Sequence, residues 1–352
     1  MEIGIPRELK IREGRVALVP AAVASLVVAG HQVFVESDAG MLSGYDNAAY
    51  VVAGAQIVGD SAALYAQAQL IVKVKEPIAE ELVHLGSDHL LFSYLHLATN
   101  DKLANALARQ GVTAIAFETV RDESGRLPLL APMSDIAGRI AIQVGTNLLH
   151  YSQGGKGILL GGVAGSERGR VVIIGAGTAG FNAASMAAAM GAEVIVFDRQ
   201  RQPLERARAL AANVTALYAY PDTVQQAVIS ADLVVGAVLL AGQRAPHVVS
   251  AKTVKAMSAG SVIVDIAIDQ GGCIETSRPT SYDAPTYTVD GVIHFAVTNI
   301  PGAVPRSASQ ALSAVIVEPL LRLCQANWRQ YHDLVGGINV DQGKIVHSAL
   351  ID

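Results

Sequence analysis

One segment limits the fold of this chain more than any other, a β-branched run that leads directly into a glycine-rich turn. The run is Val171–Ile174, and the turn that follows it is Gly175-Ala176-Gly177-Thr178-Ala179-Gly180. In such a turn the first glycine permits a tight bend, the second lets a pyrophosphate approach the main chain, and the third lets helix and strand pack closely. We therefore expect a β-α-β unit that binds a dinucleotide at the N-terminus of its helix. The expected contacts are Gly175, Gly177, Thr178, Ala179 and Gly180.

Asp198 follows the next predicted strand, Glu193–Phe197, at the distance expected for an acid that binds a ribose. Its carboxylate would accept hydrogen bonds from a ribose diol and would repel a 2′-phosphate, which favours NAD over NADP. Arg199 and Arg201 weaken this inference, because an arginine is what a 2′-phosphate needs. The structural alternative is a turn that is merely compact, with Asp198 at a strand end. We interpret the segment as a site for NAD.

Strand-like and helical segments alternate along the rest of the chain. The early part predicts strands at Met1–Ile5, Gln32–Val35, Leu70–Val74, Leu90–Tyr94 and Thr113–Phe117, with helices at Pro20–Ala29, Ser61–Gln69 and Asn100–Arg109. The later part predicts helices at Pro132–Leu149, Thr178–Met190 and Ser307–Gln325, and strands at Leu233–Ala237, Ser261–Val264, Tyr287–Val289 and His294–Val297. Ser134 is a candidate cap of the first of these later helices. The rhythm indicates an α/β protein with two doubly wound, Rossmann-like domains and a ligand cleft between them.

Composition excludes several other classes of protein. A chain of 352 residues exceeds the size at which one hydrophobic core stops growing, so two domains are expected. The net charge of −5 argues against a nucleic-acid surface. Cys273 and Cys324 lie far apart, which argues against a disulfide or a metal site and favours a reducing cytoplasm. The uncharged run Val171–Ala192 is long enough to cross a membrane, but its strand, turn and helix pattern predicts a buried β-α segment instead.

Two titratable side chains follow predicted strands of the first half. Lys73 and Lys75 lie two positions apart and so share one face of a strand, with Lys75 at the carboxyl end where open α/β sheets bind ligands. His96 follows the strand Leu90–Tyr94 in a similar position. The alternatives are a solvated lysine on an edge strand and a histidine with a purely structural role. Both side chains are candidates for binding and proton transfer.

Asp269 and Arg15 complete the set of candidates. Asp269 follows an apolar strand and precedes Gly271-Gly272, where the alternative is an ordinary turn residue. Arg15 lies in the first loop, where the alternative is an ordinary surface charge. Together the four side chains could supply one cation for a carboxylate, a second cation for a carbonyl, and an imidazole that exchanges protons.

Several segments resemble the alanine dehydrogenase/pyridine nucleotide transhydrogenase alpha-subunit family in order and spacing, from Met1 to about Ala326. They are Gly4-Ile5-Pro6-Arg7-Glu8 with Arg15-Val16-Ala17-Leu18, Lys73-Val74-Lys75-Glu76-Pro77, Tyr94-Leu95-His96-Leu97, Leu130-Ala131-Pro132-Met133-Ser134, Val264-Asp265-Ile266-Ala267-Ile268-Asp269-Gln270-Gly271-Gly272 and Pro301-Gly302-Ala303-Val304-Pro305-Arg306. The resemblance implies reversible, NAD-dependent deamination of L-alanine to pyruvate and ammonia. It also implies a homohexamer. The residues themselves predict a cytoplasmic protein with no membrane or nucleic-acid partner, and no cluster of side chains suggests a metal site, although metal dependence stays open.

The same resemblance implies roles for particular residues. Arg15 would bind the substrate carboxylate, Lys75 the keto oxygen or imine, and His96 and Asp269 would be catalytic. Met133 and Asn299 would also contact the substrate. The remaining expected contacts are with the cofactor, and they are Ser134, Val238, Leu239, Ile266, Ala267, Ile268, Arg278, Val297, Thr298 and Ile300. The implied domains are residues 1–130 with 306–352 for the substrate and residues 131–305 for NAD.

The chain also departs from the family pattern. A basic residue that the family often has after the ribose acid is Pro203 here, and a serine near the adenosine is Ala219. Both departures concern the adenosine contacts. The tail beyond Trp328 resembles nothing familiar and is expected to be a short appendage. Two alternative functions are the NAD(H)-binding module of a proton-translocating transhydrogenase and a catalytically silent NAD-binding regulator.

Overall fold

The structure is a computed structural model, and it describes residues 1–238 and 245–351. It divides into two compact units. Unit 1 comprises Met1–Met133 together with Gly302–Asp352, and unit 2 comprises Ser134–Pro301. Both ends of the chain therefore belong to unit 1. The domain boundaries expected from the sequence, 130/131 and 305/306, stay a prediction about independently folding domains.

Unit 1 begins with alternating strands and helices. Its elements up to residue 116 are β1 (Glu2–Ile5), α1 (Pro20–Val28), β2 (Gln32–Glu36), α2 (Asn47–Val52), β3 (Gln56–Val58), α3 (Ser61–Gln67), β4 (Leu70–Val72), α4 (Ala79–Leu82), β5 (Leu90–Ser93), α5 (Asp101–Gln110) and β6 (Thr113–Ala116). Helix α6 (Ala131–Leu148) follows and continues into unit 2. Strands β4 and β6, with the sequences LIV and TAIA, are buried throughout, as expected for a sheet covered on both faces.

The sheet of unit 1 is parallel from β3 to β6 and antiparallel at its other edge. The C-terminal part of the unit contributes α11 (Pro305–Leu323), α12 (His332–Gly336), β14 (Ile338–Asp341) and β15 (Lys344–Ile345). The strand order is β15-β14-β6-β5-β4-β1-β2-β3, with β14 antiparallel to β6 and to β15. The expectation that the tail is an appendage is therefore wrong. Val340 is fully buried, and β14 covers the edge of β6 that would otherwise be unpaired.

Helix α11 returns to the first loop of unit 1. Ser309 Oγ accepts a hydrogen bond from Val16 N at 2.9 Å, and Ser313 Oγ accepts one from Val19 N at the same distance. Ser313 also donates to Ala17 O at 3.0 Å. The main chain directly after Arg15 is therefore supported by residues that lie nearly 300 positions later in the sequence.

Unit 2 has the second doubly wound sheet. Its elements are β7 (Arg170–Ile174), α7 (Thr178–Ala189), β8 (Glu193–Asp198), α8 (Arg201–Arg208), β9 (Val214–Tyr218), α9 (Pro221–Ile229), β10 (Leu233–Gly236), α10 (Ala251–Lys255), β11 (Val262–Asp265), β12 (Thr286–Val289) and β13 (Val292–Phe295). The strand order is β12-β13-β11-β10-β7-β8-β9, and these neighbours pair in parallel except β12 with β13. The α/β class and the two doubly wound sheets predicted from the sequence are confirmed.

In each sheet the strand order reverses beside the strand that comes first in the chain of that unit. In unit 1, β1 lies between β2 and β4, and in unit 2, β7 lies between β8 and β10. Ligands of open α/β sheets bind at the carboxyl ends of the strands at such a reversal. The loops after β1, β4 and β5 in unit 1, and after β7, β10 and β11 in unit 2, are therefore where a ligand is expected.

Two local predictions fail. Ser134 is not the cap of α6, because the helix already begins at Ala131 and Ala131 N bonds to Leu127 O at 3.0 Å. The strand expected at Leu70–Val74 ends at Val72, and beyond it Glu8 accepts the N–H groups of Val74 and Lys75. Lys73 is buried and Lys75 is half-buried, so the two side chains have different surroundings. In both cases the side chains involved are compatible with either state, and the main-chain hydrogen bonds of the surrounding structure decide. None of the helices in residues 1–238 and 245–351 has the length and hydropathy of a membrane-spanning segment.

Candidate functional site

Arg15 lies in the loop after β1 and is almost fully buried, with 3% of its surface exposed. Its Nε donates to Glu13 Oε1 at 2.7 Å and its Nη2 donates to Glu13 Oε2 at 2.5 Å. Nη1 lies 3.1 Å from the sulfur of Met133, which is a second predicted substrate contact. Burial lowers the pKa of Arg15, but the hydrogen bonds to Glu13 and its charge raise it above its ordinary value, so the guanidinium is charged. A buried, oriented cation of this kind is suited to bind a carboxylate.

Lys75 lies three positions beyond the end of β4 and is half-buried. Its main-chain N–H donates to Glu8 Oε2 at 3.3 Å, and the N–H of Val74 donates to Glu8 Oε1 at 2.6 Å. Lys73 is 1% exposed and pairs with Glu81 and Glu8 instead, so it is a structural cation of the core. Of the two lysines, Lys75 is the one placed at the carboxyl edge of the sheet with an accessible side chain.

His96 follows β5, the neighbour of β4, and has a left-handed main chain with φ 49° and ψ 37°. Its main-chain N–H donates to Glu118 Oε1 at 2.6 Å. The imidazole stacks on the ring of Tyr94, with 6.0 Å between ring centroids and an angle of 13° between planes. Tyr94 is itself anchored, because its hydroxyl donates to Leu129 O at 2.6 Å and burial raises its pKa. The phenol stays neutral and holds one face of the imidazole.

The predicted residues of unit 1 are brought together by their shared partners. Burial raises the pKa of Glu13, but hydrogen bonds and charge from Arg15, with a smaller contribution from the charge of Lys75, lower it below its ordinary value. Burial raises the pKa of Tyr94 and the nearby charge of Arg15 opposes that rise, while the Tyr94 ring stacks on His96. Arg15 and Lys75 thus share Glu13 as a neighbour, Arg15 and His96 share Tyr94, and Met133 contacts Arg15 directly.

The glycine turn of unit 2 is as tight as the sequence requires. Gly175 has φ +101°, and a Cβ there would lie 2.5 Å from Ala237 O. A Cβ on Gly180 would lie 1.8 Å from Gly175 O, so this position excludes any side chain. A Cβ on Gly177, in contrast, would meet nothing within 4 Å among the described residues. The exposed Gly177 therefore keeps the approach to the N-terminus of α7 open, which is what a pyrophosphate needs.

Asp198 ends β8 beside this turn. Its Oδ2 accepts a hydrogen bond from Ala176 N at 2.7 Å, and its Oδ1 accepts one from Gln200 N at 2.8 Å. Each oxygen retains lone-pair capacity for a diol, and the carboxylate lies against the main chain of the glycine turn. This geometry fits a ribose next to a bound pyrophosphate.

Helix α6 passes the beginning of α7. Asn182 Nδ2 donates to Asp135 Oδ1 at 2.7 Å, and a Cβ on Gly138 would lie 2.1 Å from Ala179 O. Ser134 precedes Asp135 on the same helix and is partly exposed. Ser134 lies one helical turn before Gly138, so it stays a predicted cofactor contact, although it caps nothing.

The loop after β11 presents Asp269. Asp265, at the end of β11, is fully buried and accepts hydrogen bonds from Ala267 N, Cys273 N and Ile274 N at 3.1, 3.1 and 3.2 Å. Burial raises the pKa of Asp265, and these hydrogen bonds oppose the rise. Between Asp265 and Cys273 lies the short helical turn Ile266–Gln270, which leaves the side chain of Asp269 exposed. A buried acid thus shapes the loop that carries the candidate catalytic acid.

The other predicted contacts that the structure describes follow strands of the unit 2 sheet or lie beside its edge strand β12. Arg278 is exposed and stacks on Tyr287, with its guanidinium carbon 4.3 Å from the ring centroid. Tyr282 OH donates to Ile300 O at 2.8 Å, which fixes the segment that contains Val297, Thr298 and Asn299. Val238, Ile266, Ala267 and Ile268 follow β10 and β11. Leu239 lies outside the described residues.

Glu13, Tyr94 and Glu118 were not among the residues predicted for the site. Glu13 has a local signal, since an acid two positions before an arginine can pair with it in a tight loop. Glu118 has none, because it reaches His96 from 22 positions further along the chain. Among the described residues no cluster of side chains is suited to hold a metal ion.

Comparisons with known proteins agree with this architecture. The family description "Alanine dehydrogenase/PNT, N-terminal domain" matches residues 4–137, and "Alanine dehydrogenase/PNT, C-terminal domain" matches residues 141–348. An alanine dehydrogenase of Bacillus subtilis is 45% identical to this chain over 99% of it and 94% of the relative. A solved L-alanine dehydrogenase has a TM-score of 0.94 at 46% identity and covers 99% of this chain and 98% of its own. A transhydrogenase from Sinorhizobium meliloti is more distant, with a TM-score of 0.85 at 26% identity, covering 99% of this chain and 100% of its own.

Proposed function

The chain belongs to the alanine dehydrogenase/PNT family, and from this premise we propose that it catalyses the reversible deamination of L-alanine to pyruvate and ammonia with NAD. The observation that carries the proposal is the grouping of Arg15, Lys75 and His96 in unit 1. The identity of 46% to a solved L-alanine dehydrogenase, against 26% to a transhydrogenase, supports this activity over that of a transhydrogenase NAD(H)-binding module.

The substrate proposed for this site is a small carboxylic acid. Arg15 would bind its carboxylate, because Glu13 already holds the buried guanidinium in one orientation and a guanidinium is the cation best matched to a carboxylate. Met133, in contact with Arg15, would limit the space beside that carboxylate, and this supports a short side chain on the substrate. Asn299 is proposed as a further substrate contact.

Proton transfer is assigned to His96 and charge stabilisation to Lys75. Deamination needs a neutral amine, and it then needs proton transfers as water adds and as ammonia leaves. An imidazole can both accept and donate these protons near neutral pH. Lys75 would stabilise negative charge that develops on the substrate oxygen. Asp269, exposed on the loop after β11, is proposed as the second catalytic group. Because the reaction releases a proton, alkaline pH should favour deamination.

The cofactor proposed for unit 2 is NAD. The open approach at Gly177 and the carboxylate of Asp198 fit its pyrophosphate and its ribose. Bound there, NAD would supply the hydride acceptor for the substrate carbon. Thr178 and Ala179 would contact the phosphates, and the nicotinamide side is proposed to contact Ser134, Val238, Leu239, Ile266, Ala267, Ile268, Arg278, Val297, Thr298 and Ile300. Asp198 would repel the 2′-phosphate of NADP.

The assembly and the location of the protein are further proposals. Family resemblance supports a homohexamer in the cytoplasm. Exposed valines on α1 and α2 also support association, because Val28, Val51 and Val52 are 88%, 57% and 89% exposed and apolar. Light scattering after size-exclusion chromatography should give the mass of six chains.

A direct test is to mix the purified protein with NAD and a panel of L-amino acids and to follow NADH formation. L-alanine should give the highest rate, and D-alanine should give none. The reverse mixture of pyruvate, ammonia and NADH should consume NADH, and NADP should replace NAD poorly. Binding of NADH without turnover of any amino acid would instead support a catalytically silent regulator.

A further inference from the structure

The main-chain conformation of His96 is unusual for a residue with a Cβ. Its φ of 49° lies in the left-handed region, which residues with a Cβ seldom adopt, although histidine is found there more often than most of them. Such a conformation persists only where the surrounding structure over-determines it. The proposed reaction depends on His96, and therefore also on the groups that hold its main chain in this conformation.

Glu118 supplies the hydrogen bonds that meet this segment. Its Oε1 accepts from His96 N at 2.6 Å, and its two oxygens accept from Leu95 N at 3.1 and 3.3 Å. Glu118 lies in the short turn after β6, the strand that pairs with β5, and the last pair in that register is Ser93 with Ala116. The carboxylate is thus delivered to the end of β5 by its neighbouring strand. Consecutive N–H groups that point at one acceptor are the expected result of a tight left-handed bend.

A second candidate residue is held in the same way. Glu8, in the loop after β1, accepts from Val74 N at 2.6 Å and from Lys75 N at 3.3 Å. Strand β1 is the neighbour of β4 on the side away from β5. Each of the adjacent strands β4 and β5 therefore ends in a main chain that is bound by a carboxylate from its outer neighbour. Because the same arrangement occurs at both strands, we infer that these carboxylates hold the main chain of Lys75 and of His96 in place.

We propose that Glu118 is a positioning residue for His96: its carboxylate binds the N–H groups of Leu95 and His96 and so keeps the imidazole stacked on Tyr94. The carboxylate acts through the main chain and does not touch the substrate. This inference rests on the proposed function, because it assigns Glu118 a part in the reaction that His96 serves.

The test compares Glu118→Ala, Glu118→Gln and a matched control. In Glu118→Ala both N–H groups lose their acceptor, and kcat should fall about 10- to 100-fold while the Kd for NADH stays unchanged. In Glu118→Gln the amide oxygen can still accept both bonds, so kcat should stay within about threefold of the wild type. The control is Asp122→Ala in the same connection, since Asp122 likewise accepts from Ser124 N and Arg126 N at 2.9 Å but lies in an exposed turn. Its kcat should not change.

A crystal structure of Glu118→Ala gives a readout that does not depend on the reaction. Residue 96 should leave the left-handed region, and its ring should leave Tyr94. Wild-type kcat in Glu118→Ala, or an unchanged φ at residue 96, would overturn the proposal. If the alanine variant does not fold, Glu118→Asp decides, because its shorter side chain cannot reach both N–H groups and full kcat would again overturn it. If the wild type turns over no amino acid, the proposed function fails, while the φ of residue 96 still tests the contact.

Discussion

Glu13 holds the guanidinium of Arg15 with both carboxylate oxygens, at 2.7 Å from Nε and 2.5 Å from Nη2. Both side chains are nearly inaccessible to solvent, with 3% and 1% exposed for Arg15 and Glu13. Removing one member of a buried ion pair leaves a charge that is neither solvated nor paired. The proposed carboxylate-binding cation thus depends on a protein carboxylate when no substrate is bound.

We expect Glu13→Gln to lower the free energy of unfolding of unit 1 by about 3 kcal/mol, the usual cost of breaking a buried pair. Because the carboxylate of pyruvate would partly replace the lost charge, pyruvate should raise the thermal midpoint of the variant more than that of the wild type. Urea unfolding can be followed by Trp328, the single tryptophan of the chain, which lies in unit 1. Equal stabilisation by pyruvate in both proteins would contradict binding at Arg15.

Replacement of His96 should remove proton transfer and leave cofactor binding intact. We expect His96→Asn to lower kcat by roughly 10²-fold or more, the scale of a positioned acid or base. Asparagine is the better substitution than alanine, because it tolerates the left-handed main chain and leaves the bonds to Glu118 in place. NADH binding, measured by fluorescence titration, should be unchanged. Turnover that survives in this variant would reject the assignment of His96.

Glu8 makes the stability of unit 1 depend on pH. Burial raises its pKa from 4.5 to about 7, and the nearby charge of Lys73 offsets only part of this rise. Between those two values the folded protein keeps a proton that the unfolded chain has lost, so stability falls as pH rises towards and through 7. In Glu8→Gln the side chain carries no titratable proton, so this loss of stability does not occur. The free energy of unfolding of the variant minus that of the wild type should therefore rise by about 2 kcal/mol between pH 5.5 and 8, at about 1.4 kcal/mol per pKa unit. Urea unfolding at both pH values checks this, and a difference that is independent of pH would contradict it.

Two glycines of the same turn should respond differently to an added methyl group. In Gly180→Ala the new Cβ would lie 1.8 Å from Gly175 O, so the turn must move and unit 2 should lose thermal stability. In Gly177→Ala the Cβ meets nothing within 4 Å among the described residues, so the protein should fold normally. The methyl group would stand where the pyrophosphate approaches, and the Kd for NADH should rise about tenfold or more. Unchanged NADH affinity in Gly177→Ala would argue against this turn as the phosphate site.

The fold was predictable to a large extent because its signals are local. The segment from Val171 to Asp198 forms β7, α7 and β8 with ends that differ by one residue from the prediction. Strand β4 and the cap of α6 were predicted less well. The residues around Lys73 and Ser134 suit more than one conformation, and hydrogen bonds from elsewhere in the structure decide between them.

The sequence alone determined that the chain forms alternating strands and helices, and that a glycine turn followed by Asp198 suits a dinucleotide. These features depend on neighbours within about 30 residues, where side-chain size and periodicity dictate the main chain. Tertiary structure decided the partners of the reactive groups. Glu118 reaches His96 from 22 positions away, Glu8 reaches Val74 from 66, and Ser309 reaches Val16 from 293. Such contacts exist only after the strands have taken their order in the sheet, since that order sets which loops share its carboxyl edge.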